Sequence, residues 1–180
     1  MPVRVTRRGA LLVAAATLSA CGSEDPPPAS GPGPGSGVGV LNSVLALEHA
    51  SLAAYAAAET LLRAPGRARL AVVAEQERDH VRRLSGLISD LGGRPVRGRP
   101  AGEYERSFPR LRDASDALLL AEDIEERQVR AHLDALSTLP GAELRRAAAG
   151  LATSEGEHLA VVRRLRGVAP APQPFVTGTS

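Results

Sequence analysis

The chain has 180 residues, enough for one domain with a core of its own. Apolar residues make up 43% and aromatics only 2%, with no Trp, so a core must be built from Leu, Ala and Val, which suits helices. The formal charge is +2 with no Lys; setting aside Arg4, Arg7 and Arg8 of the 22 basic residues leaves 19 against 20 acidic ones, a balance of −1 that argues against a nucleic-acid-binding surface.

Residues 1–21 read as an export signal. A basic region ends in Thr6-Arg7-Arg8, and an apolar run from Gly9 to Ala20 follows. That run is too short for a membrane-spanning helix, which needs about 20 residues. It ends in Leu18-Ser19-Ala20-Cys21, which resembles a bacterial lipobox, small residues before a cysteine that carries lipid. Arg7-Arg8 resembles a twin-arginine signal, with Ala10 where an aromatic residue or Leu is usual, so general and twin-arginine export both stay open. The alternative is an ordinary secretory peptide with an incidental cysteine. The expectation is an exported chain, anchored through lipid on Cys21 to the outer face of the bacterial cytoplasmic membrane. Cys21 is the only cysteine, so no intramolecular disulfide can form. Residues 22–37 are dominated by Pro, Gly and Ser and are expected to be a disordered tether. The tail 168–180, with Pro170, Pro172 and Pro174, is expected to be irregular. The folded domain is then residues 38–167.

Four helices are expected in that domain from the three-four spacing of apolar side chains. The first runs from Val38 to Arg63, with Leu41, Leu45, Glu48, Leu52, Tyr55 and Leu62 on its stripe; Pro65-Gly66 breaks it. The second runs from Ala68 to Leu91, with Leu70, Val73, Glu77, His80, Leu84 and Leu87, and stops at Gly92-Gly93. The third begins near Asp113 or Ser115, both good N-caps, and carries Leu118, Glu125, Val129, His132 and Leu136 as far as Pro140-Gly141. The fourth continues to Leu165 with Leu144, Leu151, Glu155, His158 and Val162.

The two halves repeat each other. Leu47-Glu48 with Ala54-Tyr55 parallels Ile124-Glu125 with Ala131-His132, and Pro65-Gly66 parallels Pro140-Gly141. This is the pattern of a duplicated helical hairpin. Each hairpin closes through a tight Pro-Gly turn, but about twenty residues, Gly92 to Arg112, separate the hairpins. A helix of 20 residues is about 30 Å long, and extended chain covers about 3.3 Å per residue, so this link can run the length of the bundle. Tyr104 and Phe108 are placed to pin it. The fold class is therefore an all-α four-helix bundle with one long crossover between the second and third helices.

The stripes carry charge where apolar residues belong. Glu77-Arg78-Asp79-His80 and Glu155-Gly156-Glu157-His158 each set a carboxylate and an imidazole three apart, on one helix face. Glu48 precedes Glu77 by 29 residues and Glu125 precedes Glu155 by 30. An unpaired buried carboxylate costs several kcal/mol, and four together would force proton uptake. Two divalent ions would balance them, with Glu48, Glu77, His80, Glu125, Glu155 and His158 as ligands. This oxygen-rich donor set suits Fe or Mn rather than a thiolate zinc site. On the third helix Glu122 and Glu126 remain alternatives to Glu125. Tyr55 and His132 are expected behind the ligands rather than among them. His49 is expected to be partly solvated, and Glu75, Glu157 and the arginine pairs 82–83 and 163–164 to lie on solvated faces. Counted from the turns, the ligand depths match in the second hairpin but differ by about 7 Å in the first, a mismatch that a loosened end to the first helix would absorb.

With these residues placed, residues 38–167 resemble the ferritin-like superfamily, in particular bacterial ferritin-like-domain proteins related to rubrerythrin and bacterioferritin. The resemblance rests on Leu47-Glu48-His49 with Tyr55, the two Glu-x-x-His runs, Glu125 and the long crossover. It implies that two of the glutamates bridge a di-iron or dimanganese pair. It also implies an oxidoreductase that meets oxygen, peroxide or ferrous iron as small-molecule partner. Two departures stand out. His132 occupies the position matching Tyr55. A lipid tether argues against mineral storage in a cage, and no Cys-x-x-Cys pair offers an electron relay. A homodimer is compatible with the resemblance. The reading from a different class is a metal-free ferritin-like bundle that acts as a binding or scaffold lipoprotein.

Overall fold

The computed structural model describes residues 37–172 and Gly178. Cys21, the export signal, residues 22–36 and most of the tail lie outside the described residues. Within them the chain forms α1 (Gly37–Glu59), α2 (Gly66–Asp90), α3 (Ala101–Glu105), α4 (Ala114–Thr138) and α5 (Ala142–Arg166), with no strand.

Helix ends follow local chemistry. The Asp113 carboxylate accepts the N–H groups of Ser115 and Asp116 at 2.9 and 3.0 Å, which starts α4 as expected. The paired glycines after α2 act for different reasons. Gly92 takes a left-handed φ of 72°, a conformation that side chains resist. Gly93 packs so tightly that a Cβ would sit 2.5 Å from a methyl of Val38. The first helix ends at Glu59, four residues earlier than expected, and an irregular stretch leads to Pro65. This is the loosened end that the ligand depths required.

The apolar core falls into two main clusters at opposite ends of the bundle. One joins the start of α1 (Leu41, Leu45), the end of α2 (Leu84, Ile88), the end of α4 (Leu139) and the start of α5 (Leu151). The other joins the end of α1 (Ala58), the start of α2 (Leu70, Val73), the start of α4 (Leu118) and the end of α5 (Val162). Each hairpin is therefore antiparallel, while α2 and α4 run the same way. Helices run parallel only if the link between them returns along the bundle, so residues 92–112 cross its full length. α1 packs on α2 and α4, and α5 packs on α4 and α2.

The crossover is tied more firmly than its sequence suggests. Asn42 donates through Nδ2 to the Arg94 carbonyl at 3.0 Å and accepts the Val96 N–H at 2.7 Å. His49, part-exposed as expected, lies 3.2 Å from the Val96 carbonyl. Pro100 then opens α3, one short helix where the sequence predicts only plain link; it buries Tyr104, whose hydroxyl accepts the Arg99 N–H. Phe108 packs against Ala54, Leu120 and Ile124. Tyr104 and Phe108 thus pin the link, with Asn42 and His49 as further ties.

One expectation about the surface is corrected. Arg163 is not on a solvated face. It is buried, and its guanidinium donates to Glu122 at 2.9 Å and Glu126 at 2.7 Å, while Arg166 also pairs with Glu122. A fork of donors matched by two carboxylates lets the charge be buried between α4 and α5. Arg164 and Glu157 keep solvent access, and Glu75 is exposed and paired with Arg78.

Candidate metal centre

Between the two apolar clusters lies a layer of ionisable side chains. Glu48, Glu77, Glu125 and Glu155 are all 0% exposed, and His80, His132 and His158 are buried with them. All six expected ligands reach this layer. Glu122 and Glu126 do not, because Arg163 and Arg166 hold them elsewhere.

The donors sort into two neighbourhoods around the two histidines of the Glu-x-x-His runs. His158 Nδ1 lies 3.0 Å from Glu77 Oε1, 3.1 Å from Glu155 Oε2 and 3.8 Å from Glu125 Oε2. His80 Nδ1 lies 2.7 Å from Glu155 Oε1 and 3.8 Å from both Glu77 Oε2 and Glu48 Oε2. Glu77 and Glu155 therefore present one oxygen to each histidine. Glu48 belongs to the His80 side and Glu125 to the His158 side. The two rings stack with centroids 5.4 Å apart.

Their outer nitrogens are held crosswise. His80 Nε2 lies 3.1 Å from the Ser154 hydroxyl, and His158 Nε2 donates to Gln76 Oε1 at 3.0 Å. Such partners fix ring orientation and leave the inner nitrogen facing the centre. A second crosswise pair lies behind the carboxylates. The Tyr55 hydroxyl donates to Glu125 Oε1, and His132 Nε2 lies 3.0 Å from Glu48 Oε1. Gln128 donates through Nε2 to Glu48 Oε2 at 2.7 Å and Glu77 Oε2 at 3.2 Å. Ser51 lies within hydrogen-bond reach of Glu77 Oε2 at 3.1 Å.

Ser51, Gln76, Gln128 and Ser154 do not stand out from sequence, yet a signal is there. Each of the four glutamates is followed three residues later by an inward polar side chain: Ser51, His80, Gln128 and His158. The one-turn spacing that marks Glu-x-x-His also covers Glu-x-x-Ser and Glu-x-x-Gln. Gln76 and Ser154 each stand directly before the glutamate of a Glu-x-x-His run.

Crowding perturbs the acids and bases strongly. Burial, with Glu155 and Glu77 beside it, pushes Glu48 well above the ordinary carboxylate range. Burial and the charges of Glu77 and Glu155 do the same to Glu125. Burial also raises the Tyr55 phenol. At Glu155, burial is outweighed by the imidazoles of His158 and His80, which hold the carboxyl well below its usual value. At His158, burial is outweighed by Glu155 and Glu77, which push the imidazole up to about 9. Burial pushes His132 down to about 4.

The layer fits divalent cations on direct grounds. His80 Nδ1, Glu125 Oε2 and Glu155 Oε1 are buried without a hydrogen bond, although His80 Nδ1 and Glu155 Oε1 face each other at 2.7 Å. Buried polar atoms normally find partners, and cations held within the layer would satisfy all three. Glu77, His80, Glu155 and His158 each offer a ligand atom, these atoms lying within 4.8 Å of one another. Glu48, His132 and Glu155 do the same.

Comparison with known proteins bears on the fold. The ferritin-like domain matches the chain over residues 36–168. The chain belongs to the ferritin-like family. Among solved structures, this ferritin-like chain is similar to a conserved hypothetical protein, rv2844, from Mycobacterium tuberculosis. The TM-score is 0.65, with 77% of this chain and 96% of that chain covered, at 21% identity. At that identity the likeness is one of fold. No curated protein matches the chain. The buried Glu/His groups of this ferritin-like bundle could hold a metal ion.

Proposed function

We propose that the chain binds a pair of iron or manganese ions bridged by Glu77 and Glu155, with Glu48 and His80 completing one position and Glu125 and His158 the other. The observation that carries this reading is the set of buried, unpartnered donor atoms facing one another across the layer. Such a pair, when bound, would pass electrons from ferrous iron as substrate to oxygen or peroxide. The chain's own part is positional. Gln76 and Ser154 hold the imidazoles, Gln128 and Ser51 steady the carboxylates, and the two apolar clusters keep bulk water from the layer. Lipid on Cys21 would place this chemistry at the outer face of the cytoplasmic membrane.

Elemental analysis tests the reading directly. After reconstitution with Fe(II) in air, the chain should hold up to two ions and develop the near-ultraviolet absorption of an oxo-bridged ferric pair. A folded chain that stays metal-free after reconstitution with Fe(II) and with Mn(II) would defeat it and promote the metal-free scaffold lipoprotein. The tether is tested separately: Cys21→Ala should block signal processing or release the domain from the membrane fraction. Correct processing with full membrane retention would remove the lipid anchor.

A further inference from the structure

The two hairpins place residues at corresponding stations, and at one pair of stations the side chains differ in their capacity to bind metal. Tyr55 stands seven residues after Glu48 and reaches across to Glu125; His132 stands seven residues after Glu125 and reaches across to Glu48. The phenol of Tyr55 is committed as a donor to Glu125 Oε1. An imidazole at the same station has a second capacity, because a neutral ring nitrogen is also a metal donor.

The surroundings of His132 suit that capacity. Its Nε2 lies 3.0 Å from Glu48 Oε1 and 3.7 Å from Glu155 Oε1. Glu155 Oε1 has no hydrogen bond and sits 2.7 Å from His80 Nδ1. Two donors each about 2.1 Å from one ion are at most about twice that distance apart, and the spacings around His132 lie inside this limit. With His132, Glu48 and Glu155 form a group whose ligand atoms lie within 4.8 Å of one another, and under the function proposed above both glutamates also serve the position at His80.

We propose that His132 is a metal ligand. The inference rests on that functional reading and makes the two positions chemically unequal. The position at His80 would have two imidazoles, whereas the position at His158 would have one, backed by a phenol. Imidazole favours later divalent ions more than carboxylate does. The His80 position should therefore fill first when the chain is offered Cu(II), and it should show both rings as nitrogen donors.

Pulsed electron paramagnetic resonance on the full chain, loaded with half an equivalent of Cu(II), reads the donor nitrogens. The wild-type chain is expected to show couplings from two imidazoles. His132→Gln, which keeps a polar group for Glu48, should lose one of them, and added free imidazole should restore it. His132→Tyr, which copies the station of Tyr55, should also show one. If both variants keep the wild-type couplings, His132 only hydrogen-bonds Glu48 and the inference is overturned, while the functional reading stands. Absence of Cu(II), Fe(II) and Mn(II) binding by the folded wild-type chain would instead overturn the functional reading and this inference with it.

Discussion

The hairpin of α1 and α2 and the hairpin of α4 and α5 share one pattern and differ at particular points. They agree where geometry decides: each contributes a glutamate from its first helix and a Glu-x-x-His from its second, and each holds the other's histidine through Gln76 or Ser154. They differ where a side chain needs only to fill a station. Ser51 corresponds to Gln128, Tyr55 to His132, and the irregular stretch after Glu59 to the short turn after Thr138. The crossover is hydrogen-bonded to α1 through Asn42 and His49. The lesson is that the donor skeleton constrains the fold, while the residues one or two turns away from it can change chemistry without changing the backbone.

The largest expected effect comes from the shared carboxylates. Glu155→Ala or Glu77→Ala should strip both ions, because each residue serves both histidines. Glu125→Ala should remove only the ion at the His158 side. Elemental analysis after Fe(II) loading separates the cases, with helicity by circular dichroism largely unchanged; equal losses for Glu155 and Glu125 would break the division into shared and private ligands.

A smaller effect is expected at Tyr55. Tyr55→Phe leaves Glu125 Oε1 buried without its donor and should cost about 1–3 kcal/mol in the metal-free chain, read by urea unfolding. Ser51→Ala, which takes one weaker contact from Glu77, should cost less.

The metal-free chain should also respond to pH. In the folded state Glu48 and Glu125 bind protons more tightly than ordinary carboxylates, and His158, raised to about 9, more tightly than a free imidazole. The unfolded chain releases them near 4.5 and 6.5. His132, lowered to about 4, is neutral in both states above 6.5. Between pH 6.5 and 9 the folded state therefore binds more protons, so its stability must fall as pH rises. Calorimetry should show a falling Tm across that window in chelator. Metal loading expels these protons, so the loaded chain should become more stable relative to the metal-free one as pH rises.

Smaller still is the effect of the crossover tie made by the first hairpin. Asn42→Ala removes two exposed hydrogen bonds and should cost about 0.5 kcal/mol for each. It should also speed amide exchange in residues 94–100 while leaving metal content unchanged. Glu75→Ala, exposed and away from the layer, should stay within about 0.5 kcal/mol and keep both ions.

Much of this is legible in the sequence. Glu48, Glu77, His80, Glu125, Glu155 and His158 can be read because a carboxylate in an apolar stripe is costly to bury unless a cation or proton compensates it, and because one-turn spacing sets each histidine beside its glutamate. The length of the crossover implies its path, because only a long link lets α2 and α4 run parallel. The burial of Arg163 is hidden, since pairing with Glu122 and Glu126 depends on how α4 meets α5, which no single helix encodes. Gln128 and Ser51 escape notice because uncharged polar residues are common on solvated faces. His132 is visible as a departure from Tyr55, but its distance to Glu48 Oε1 belongs to the packing between hairpins.

The path of residues 92–112 has a further consequence. Each hairpin alone leaves one side of its apolar stripes and half of the ionisable layer without a counterpart, so the bundle is in effect a dimer of hairpins joined by a strap. Such a strap acts by keeping the two halves at an effective concentration in the millimolar range set by its length. Cutting it should not dismantle the structure but make it depend on dilution. Two co-produced fragments divided within the strap would assemble as separate molecules, and the centre between them would then report on their association.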